Sequence, residues 1–397
     1  MESKNISLLP HEECNGCRLC GDVCPKMCIS FVTDAEGFYY PTIKEDQCIN
    51  CGLCVSKCSS INLSHDNLSD DVLSACASDK GIHEIGSSGS VFYQLASSVL
   101  KKGGWVFGAM FDENHRLFHK GIDKESQLAP LCKSKYLQSD CGGAYKQVVD
   151  KLKEGLDVLF CGTPCQCQAL KNLVGSRLNE KLLLVDFACH GVSCQKLFDQ
   201  NLDYYEKKGG LVKKYTFREK KNANYHHYFS VVIQEKDSNV HIKRGTYYKD
   251  PYYYGYEKRF TLRPSCYRCK WANKSRCSDL TLSDFFGIEE LDPTLSKKYV
   301  SGVFRNTPKG VASFNEIKEN MIGVKSYPIE FAVKKNECLS KPVALPALRE
   351  SFFKEWIKYG YEYIRMKYLS PKHKWIYDLY YCIPQNARSI VRRKLKR

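Results

Sequence analysis

The run C-N-G-C-R-L-C-G-D-V-C-P spans Cys14 to Pro25, and C-I-N-C-G-L-C-V-S-K-C spans Cys48 to Cys58. Both space their cysteines as C-x2-C-x2-C-x3-C. An iron–sulfur cubane needs a thiolate on each corner iron. Residues three apart in one tight loop point three thiolates at a common centre, and the fourth comes from the other run. The two runs therefore interlock. Cys14, Cys17, Cys20 and Cys58 are expected around one cluster, and Cys48, Cys51, Cys54 and Cys24 around the other. Paired C-x2-C motifs also bind zinc, and that alternative stands beside the iron–sulfur one. Two runs of four at this spacing, with Cys24-Pro25, favour iron and sulfide.

The pattern resembles the bacterial two-cluster ferredoxins. One departure is Ser59, which stands where a proline would follow Cys58. That proline shapes a turn and supplies no ligand. Cys28 falls outside the pattern and reads as structural.

The chain has 397 residues, 22 cysteines and a net charge of +16. That length supports two or three domains with real cores. The first fourteen residues show no apolar signal core and no cleavage site. No run approaches the roughly 18 apolar residues of a membrane span. The expectation is a cytoplasmic chain whose cysteines stay reduced and in many cases bind metal. The positive charge suits an acidic electron-carrier protein, anionic lipid or nucleic acid, but no nucleic-acid motif is present. Part of the excess is a tail: residues 350–397 hold 12 Lys/Arg against 4 Asp/Glu and end R-R-K-L-K-R.

Five segments are expected. Residues 1–62 form the ferredoxin unit, with a hairpin turning at Gly37. Residues 63–86, rich in Ser and Asp, read as a linker. Residues 87–175 and 176–336 alternate strand and helix, apart from antiparallel-type strands over 211–245, and predict an α/β (α+β) body on a mixed sheet. Residues 337–397 read as a basic helical tail. Within it, 354–369 alternates aromatic and basic residues, which suits either an amphipathic helix on the inner face of a membrane or a solvated helix.

A second thiol constellation lies downstream. Cys266-x2-Cys269 lacks a full local ligand set. Cys165 in GTPCQ and Cys189 in ACHG sit at turns after strands, where ligands of α/β sheets gather. Cys165, Cys189, Cys266 and Cys269 are candidate ligands of a third cluster, with Cys277 in reserve. Buried structural cysteines and a zinc site are the alternatives. The turns at 87–90 and 162–164 each precede a helix, where amide groups favour phosphate. His190 is a candidate proton donor, against the plainer reading of a structural histidine.

SSGSVFYQLA, SKYLQS, VLFCGTPCQCQAL, VDFACHGVS, RPSCYRCKW and SDLTLSDFFGI followed by NTPKG occur here in one order. As a set they resemble the coenzyme F-420 hydrogenase/dehydrogenase beta-subunit family, in particular bacterial members with an N-terminal ferredoxin. The resemblance covers about residues 1–335. It implies an FAD-binding, iron–sulfur oxidoreductase body with the third cluster. It also carries cofactor contacts onto Ser88, Gly89 and Ser90 (Ser90 replacing a family glycine), onto Lys135 and Tyr136, and onto Gly162, Thr163, Pro164 and Gln166. His190 then stands as a proton donor beside the flavin.

The leading expectation is a flavin-dependent reductase. It would take electrons from a partner protein and deliver them to a small molecule or glycan precursor; surface-polysaccharide synthesis enters by family association alone. The alternatives are a non-catalytic electron-transfer subunit and a membrane-surface interaction protein.

Overall fold

A computed structural model of the chain describes residues 4–64, 69–207, 209–220, 227–236, 239–295 and 299–383. The chain divides into two compact units, residues 1–196 with 262–345 and residues 197–261 with 346–397. The basic end at 384–397 lies outside the described residues.

The strands in chain order are β1 (Ile29–Thr33), β2 (Tyr39–Ile43), β3 (Asp71–Ala77), β4 (Trp105–Phe111), β5 (Leu117–Ile122), β6 (Val158–Cys161), β7 (Leu182–Phe187), β8 (Leu211–Glu219), β9 (Tyr228–Gln234), β10 (Val240–Thr246), β11 (Leu280–Asp284), β12 (Ser301–Arg305) and β13 (Met321–Pro328). In the first unit β1 and β2 form the hairpin between the cysteine runs, with Ile29 opposite Ile43. The other strands of that unit form one sheet in the order β13-β3-β12-β11-β7-β6-β4-β5. β4, β6, β7 and β11 run parallel, and antiparallel neighbours flank them.

The helices Val91–Lys101 and Pro308–Ile317 pack with one face of the sheet, and Ala144–Lys153 and Pro164–Leu178 with the other. Alternate residues divide between the two cores. Leu159, Leu183 and Val185 join the first, while Val158, Phe160, Leu182 and Leu184 join the second. Burial on both faces explains why VLF and LLLV read as unbroken apolar runs rather than alternating ones.

The stretch 63–86, read as a linker from its composition, contains β3. β3 is buried from Val72 to Ala77 and pairs with both β12 and β13. The Ser/Asp-rich approach and the short apolar run DVLSACA hid a strand whose pairing partners lie more than 220 residues downstream. Cys76 is packed inside it, 1 % exposed.

The second unit holds an antiparallel sheet in the order β10-β9-β8. Its core is aromatic: Phe198, Tyr215, Phe217 and Tyr252 meet with ring centroids 4.6–5.9 Å apart. Buried Asp250 accepts hydrogen bonds from Asn201 Nδ2 at 3.1 Å, Tyr205 OH at 2.8 Å and Tyr253 N at 2.6 Å. The helix Leu348–Lys367 buries Phe352, Phe353, Trp356, Tyr361 and Ile364 in this unit. Most of the aromatic residues read as a surface stripe thus belong to a core. Among the described residues no helix is long and apolar enough to cross a membrane.

Candidate iron–sulfur and cofactor site

The loop Cys14–Cys17 turns at Gly16, whose φ is +69°. A Cβ there would lie 2.4 Å from Gln138 Nε2 and 2.7 Å from Arg263 Nη1, so both backbone angle and space demand glycine. A short helix lies within each run, Leu19–Val23 and Leu53–Ser56, and these carry Cys20 and Cys54. Cys17 is pushed up to about 12, first by burial and then by the neighbouring Cys58 thiol. Cys20 is raised by burial, then by Cys17, Cys14 and Cys58. Cys14, Cys17 and Cys58 thus stand near enough to Cys20 to raise it, and Cys54 of the second run adds to the rise. Such thiols hold their protons until a metal displaces them, so loading releases protons.

Cys24, Cys48, Cys51 and Cys54 line a second space, a cavity of about 340 Å³. Asn5 Nδ2 lies 3.8 Å from Cys48 Sγ as a donor at its edge. Cys28, read as structural, lines the same cavity. Among the described residues no three His, Cys, Asp or Glu side chains converge closely enough to hold one metal ion. The thiols stand instead around open spaces.

A third cavity, about 630 Å³, lies at the carboxyl ends of β6 and β7 and is lined by Cys165, Cys189, Cys266 and Cys269. Each position has a local cause. Thr163 precedes the helix Pro164–Leu178, Pro164 fills its first position, and Gln166 Oε1 reaches back to accept from Thr163 N at 2.9 Å. This start places Cys165 on the first turn. Cys189 follows β7, and Gly191 N donates to its sulfur at 3.4 Å. Gly191 has φ +108°, and a Cβ there would meet Leu262 at 2.8 Å and Cys266 at 3.1 Å. Cys266 lies in the 3-10 turn Pro264–Arg268, and Cys269 caps it.

Cys277 is elsewhere. It is 3 % exposed in the core beside Cys167, with Sγ 3.7 Å from Pro164 O, and is not part of the cavity lining. The fifth thiol on this cavity is Cys338, 3.7 Å from His190 Nε2 and 3.1 Å from Asn336 Oδ1. It lies some 70 residues beyond the C-x2-C pair and outside every motif, so only the fold reveals it.

The first and third groups are neighbours. Burial raises Cys165 most, and the thiols of Cys269, Cys17 and Cys266 add to the rise. Asn15 and Gln138 both line the third cavity. Gln138 Nε2 donates to Asn15 O at 2.9 Å and to Gly16 O at 3.2 Å, and Gln138 Oε1 accepts from Arg263 Nη1 at 2.9 Å. Gln138 sits inside SKYLQS and Arg263 at the head of RPSCYRCKW, yet neither was singled out by sequence.

The turn and segment expected to contact a cofactor pack at the ends of β3, β12 and β4. Ser88 Oγ donates to Val300 O at 2.8 Å and Ser90 Oγ to His83 O at 3.0 Å. Gly89 N donates to Ser301 Oγ at 2.9 Å, and a Cβ at Gly89 would fall 2.0 Å from Ala75 O. Ser134 N donates to Ser87 Oγ at 2.6 Å, which ties this turn to the Lys135–Tyr136 segment. Lys135 Nζ donates to Ala109 O, Pro130 O and Cys132 O at 2.7–2.8 Å. Burial draws its pKa down to about 8. The hydroxyls and the ammonium are thus engaged with backbone. What this turn offers a phosphate is the N-terminus of the helix Val91–Lys101, which no side chain caps. Gln166 is likewise committed, with Nε2 donating to Ser139 Oγ at 3.0 Å. His190 lies on the thiol cavity.

His119 lies on β5. Its Nε2–H faces Cys161 O at 3.1 Å, and Nδ1 faces Cys141 Sγ at 3.1 Å. Burial, then the charge of Lys135, draws its pKa to about 4 against the Cys161 bond. Below pH ~6.5 the unfolded chain takes up a proton that the folded chain refuses until pH ~4, so stability falls as pH drops through that window. Between about pH 7.5 and about pH 5 the loss is about 2 kcal/mol. Unfolding free energies at the two pH values are expected to separate by that much more for the unsubstituted chain than for His119→Gln; equal differences would refute the assignment.

Residues 156–328 match the family described as the C terminus of the coenzyme F420 hydrogenase/dehydrogenase beta subunit, and residues 13–61 match "4Fe-4S dicluster domain". An uncharacterized ferredoxin of Methanocaldococcus jannaschii is 37 % identical over 51 residues, which is 13 % of this chain; the matched segment spans 65 % of that relative's length. A solved structure, the xenon-derivatised F420-reducing [NiFe] hydrogenase complex of Methanosarcina barkeri, aligns over 77 % of this chain and 94 % of its own with 18 % identity and a TM-score of 0.45. Over residues 156–328 the chain is thus similar to the C terminus of the coenzyme F420 hydrogenase/dehydrogenase beta subunit, and a 4Fe-4S dicluster domain stands ahead of that body.

Proposed function

We propose that this iron–sulfur electron-transfer protein is a flavin-dependent reductase with three clusters, ordered from the Cys24/Cys48/Cys51/Cys54 group through the Cys14/Cys17/Cys20/Cys58 group to the Cys165/Cys189/Cys266/Cys269 group. The observation that carries this reading is the third cavity, which four thiols from three separate segments line beside the Cys14–Cys17 loop. The thiol donor set fits an iron–sulfur group. The uncapped N-terminus of the helix Val91–Lys101 fits a dinucleotide pyrophosphate, with Ser88, Gly89 and Ser90 shaping the turn and Ser134, next to Lys135, tied to it through Ser87. When bound, such clusters carry single electrons and FAD exchanges them for pairs.

The chain's own residues do the rest. Gln138 and Arg263 hold the Cys14–Cys17 loop against the third cavity. Trp271 and Val192 contribute to the lining of that cavity. His190, with Nε2 3.7 Å from Cys338 Sγ on the cavity lining, is the proton donor of this reading. The substrate we infer is a small molecule or glycan precursor, on family association alone.

The test is anaerobic purification followed by iron, sulfide, zinc and released flavin per chain. About twelve irons and one FAD are expected. About eight irons without flavin would leave a non-catalytic relay to a partner enzyme. Zinc in place of iron would overturn the scheme.

A further inference from the structure

The second thiol cavity holds five cysteines where a cubane takes four. Cys24 and Cys28 both face it, with their sulfurs 3.4 Å apart. The backbone between them makes a tight reversal: Met27 N donates to Cys24 O at 3.1 Å, and Met27 has φ +50°. This puts two side chains four residues apart on one side of the loop.

Their settings differ. Pro25, Lys26 and Met27 are exposed, Met27 by 80 %, and Cys24 at the loop's start is half-buried. Cys28 is 2 % exposed and anchored at the root of β1, where Lys44 N donates to its carbonyl at 2.9 Å. One thiol is on a surface loop and the other is fixed behind it, at a separation that a side-chain rotation closes.

We infer that Cys28 is an alternative ligand for the corner iron assigned to Cys24. The inference rests on the second cluster of the reading above. The exchange is balanced. The iron–sulfur bond to Cys24 breaks, the bond to Cys28 forms, the Cys28 proton passes to the departing Cys24 thiolate, and no electron moves. The second group therefore survives loss of its half-buried Cys24 thiolate, because the buried Cys28 takes its place. Sequence spacing assigns Cys28 no part in this, since C-x3-C beyond the fourth cysteine belongs to no ligand pattern used above.

The test uses the full chain, loaded without oxygen, and reads iron content and the EPR spectrum of the reduced protein. Cys24→Ala is expected to keep the iron of the unsubstituted chain. Cys24→Ala/Cys28→Ala is expected to lose between about one and about four irons, as the corner or the whole cluster goes. Equal iron and equal spectra in the two variants would overturn the inference. If the double variant does not fold, Cys24→Ala answers alone through alkylation and mass spectrometry. Cys28 protected in the loaded form and modified after iron removal supports the exchange; equal modification in both states overturns it. An unsubstituted chain with fewer than about eight irons would instead sink the two-cluster reading itself.

Discussion

Cys165→Ser is expected to reduce iron from about twelve to about eight per chain while both ferredoxin-type clusters remain reducible. Reduction of a two-electron acceptor should fall by more than about 100-fold, since even changes outside the ligand shell cost 10–100-fold. The reason is positional. Cys165 stands on the first turn of the helix Pro164–Leu178, on the third cavity, and the Cys17 thiol contributes to the rise in its pKa. Serine keeps the helix start, because Thr163, Pro164 and Gln166 supply it. Loss of iron would then report ligation and not misfolding. Cys277→Ser is the control. That thiol lies in the core beside Cys167, so its loss should leave iron unchanged. Four irons lost from Cys277→Ser and none from Cys165→Ser would refute the ligand set.

How much of this was legible depended on distance along the chain. The two ferredoxin groupings follow from spacing because loop geometry is local. Cys165 and Cys189 were readable because each sits at a turn just after an apolar run that reads as a buried strand. Cys338 and Cys28 were not, since a fifth thiol becomes visible only when a cavity wall is complete. β3 was missed because its partners, β12 and β13, lie in a distant segment. The motif residues Lys135 and Gln166 could be located but their contacts could not. In the fold their polar groups meet backbone carbonyls, the Thr163 amide and Ser139. A motif marks where side chains must fit, and its residues serve the turn as often as a ligand.

Arg263 carries the second large effect. It is 0 % exposed. Its Nε donates to Cys14 O at 2.7 Å, Nη1 to Gln138 Oε1 at 2.9 Å and Nη2 to Tyr39 O at 2.8 Å, while the guanidinium carbon stands 4.3 Å from the Tyr40 ring centroid and 5.5 Å from that of Phe38. One side chain thus joins the first cysteine loop, the hairpin strand β2 and the wall of the third cavity. Arg263→Met fills much of the space but leaves two carbonyls and an amide oxygen buried without donors, at about 1–3 kcal/mol each before relaxation. The expected loss of stability is about 3–5 kcal/mol, or roughly 10 °C in unfolding temperature. Arg263→Lys should recover part of it, because a single ammonium cannot reproduce the three-way fork. The effect should extend to chemistry. With Cys14 O and Gln138 released, the Cys14–Cys17 loop loses its fixed distance to Cys165, so electron passage between the first and third groups should slow even in protein that stays folded and keeps its iron. Rapid-mixing reduction, read separately for the ferredoxin-type clusters and for the final acceptor, distinguishes the two consequences. A variant that melts early but passes electrons at the original rate would make Arg263 a brace for the fold alone.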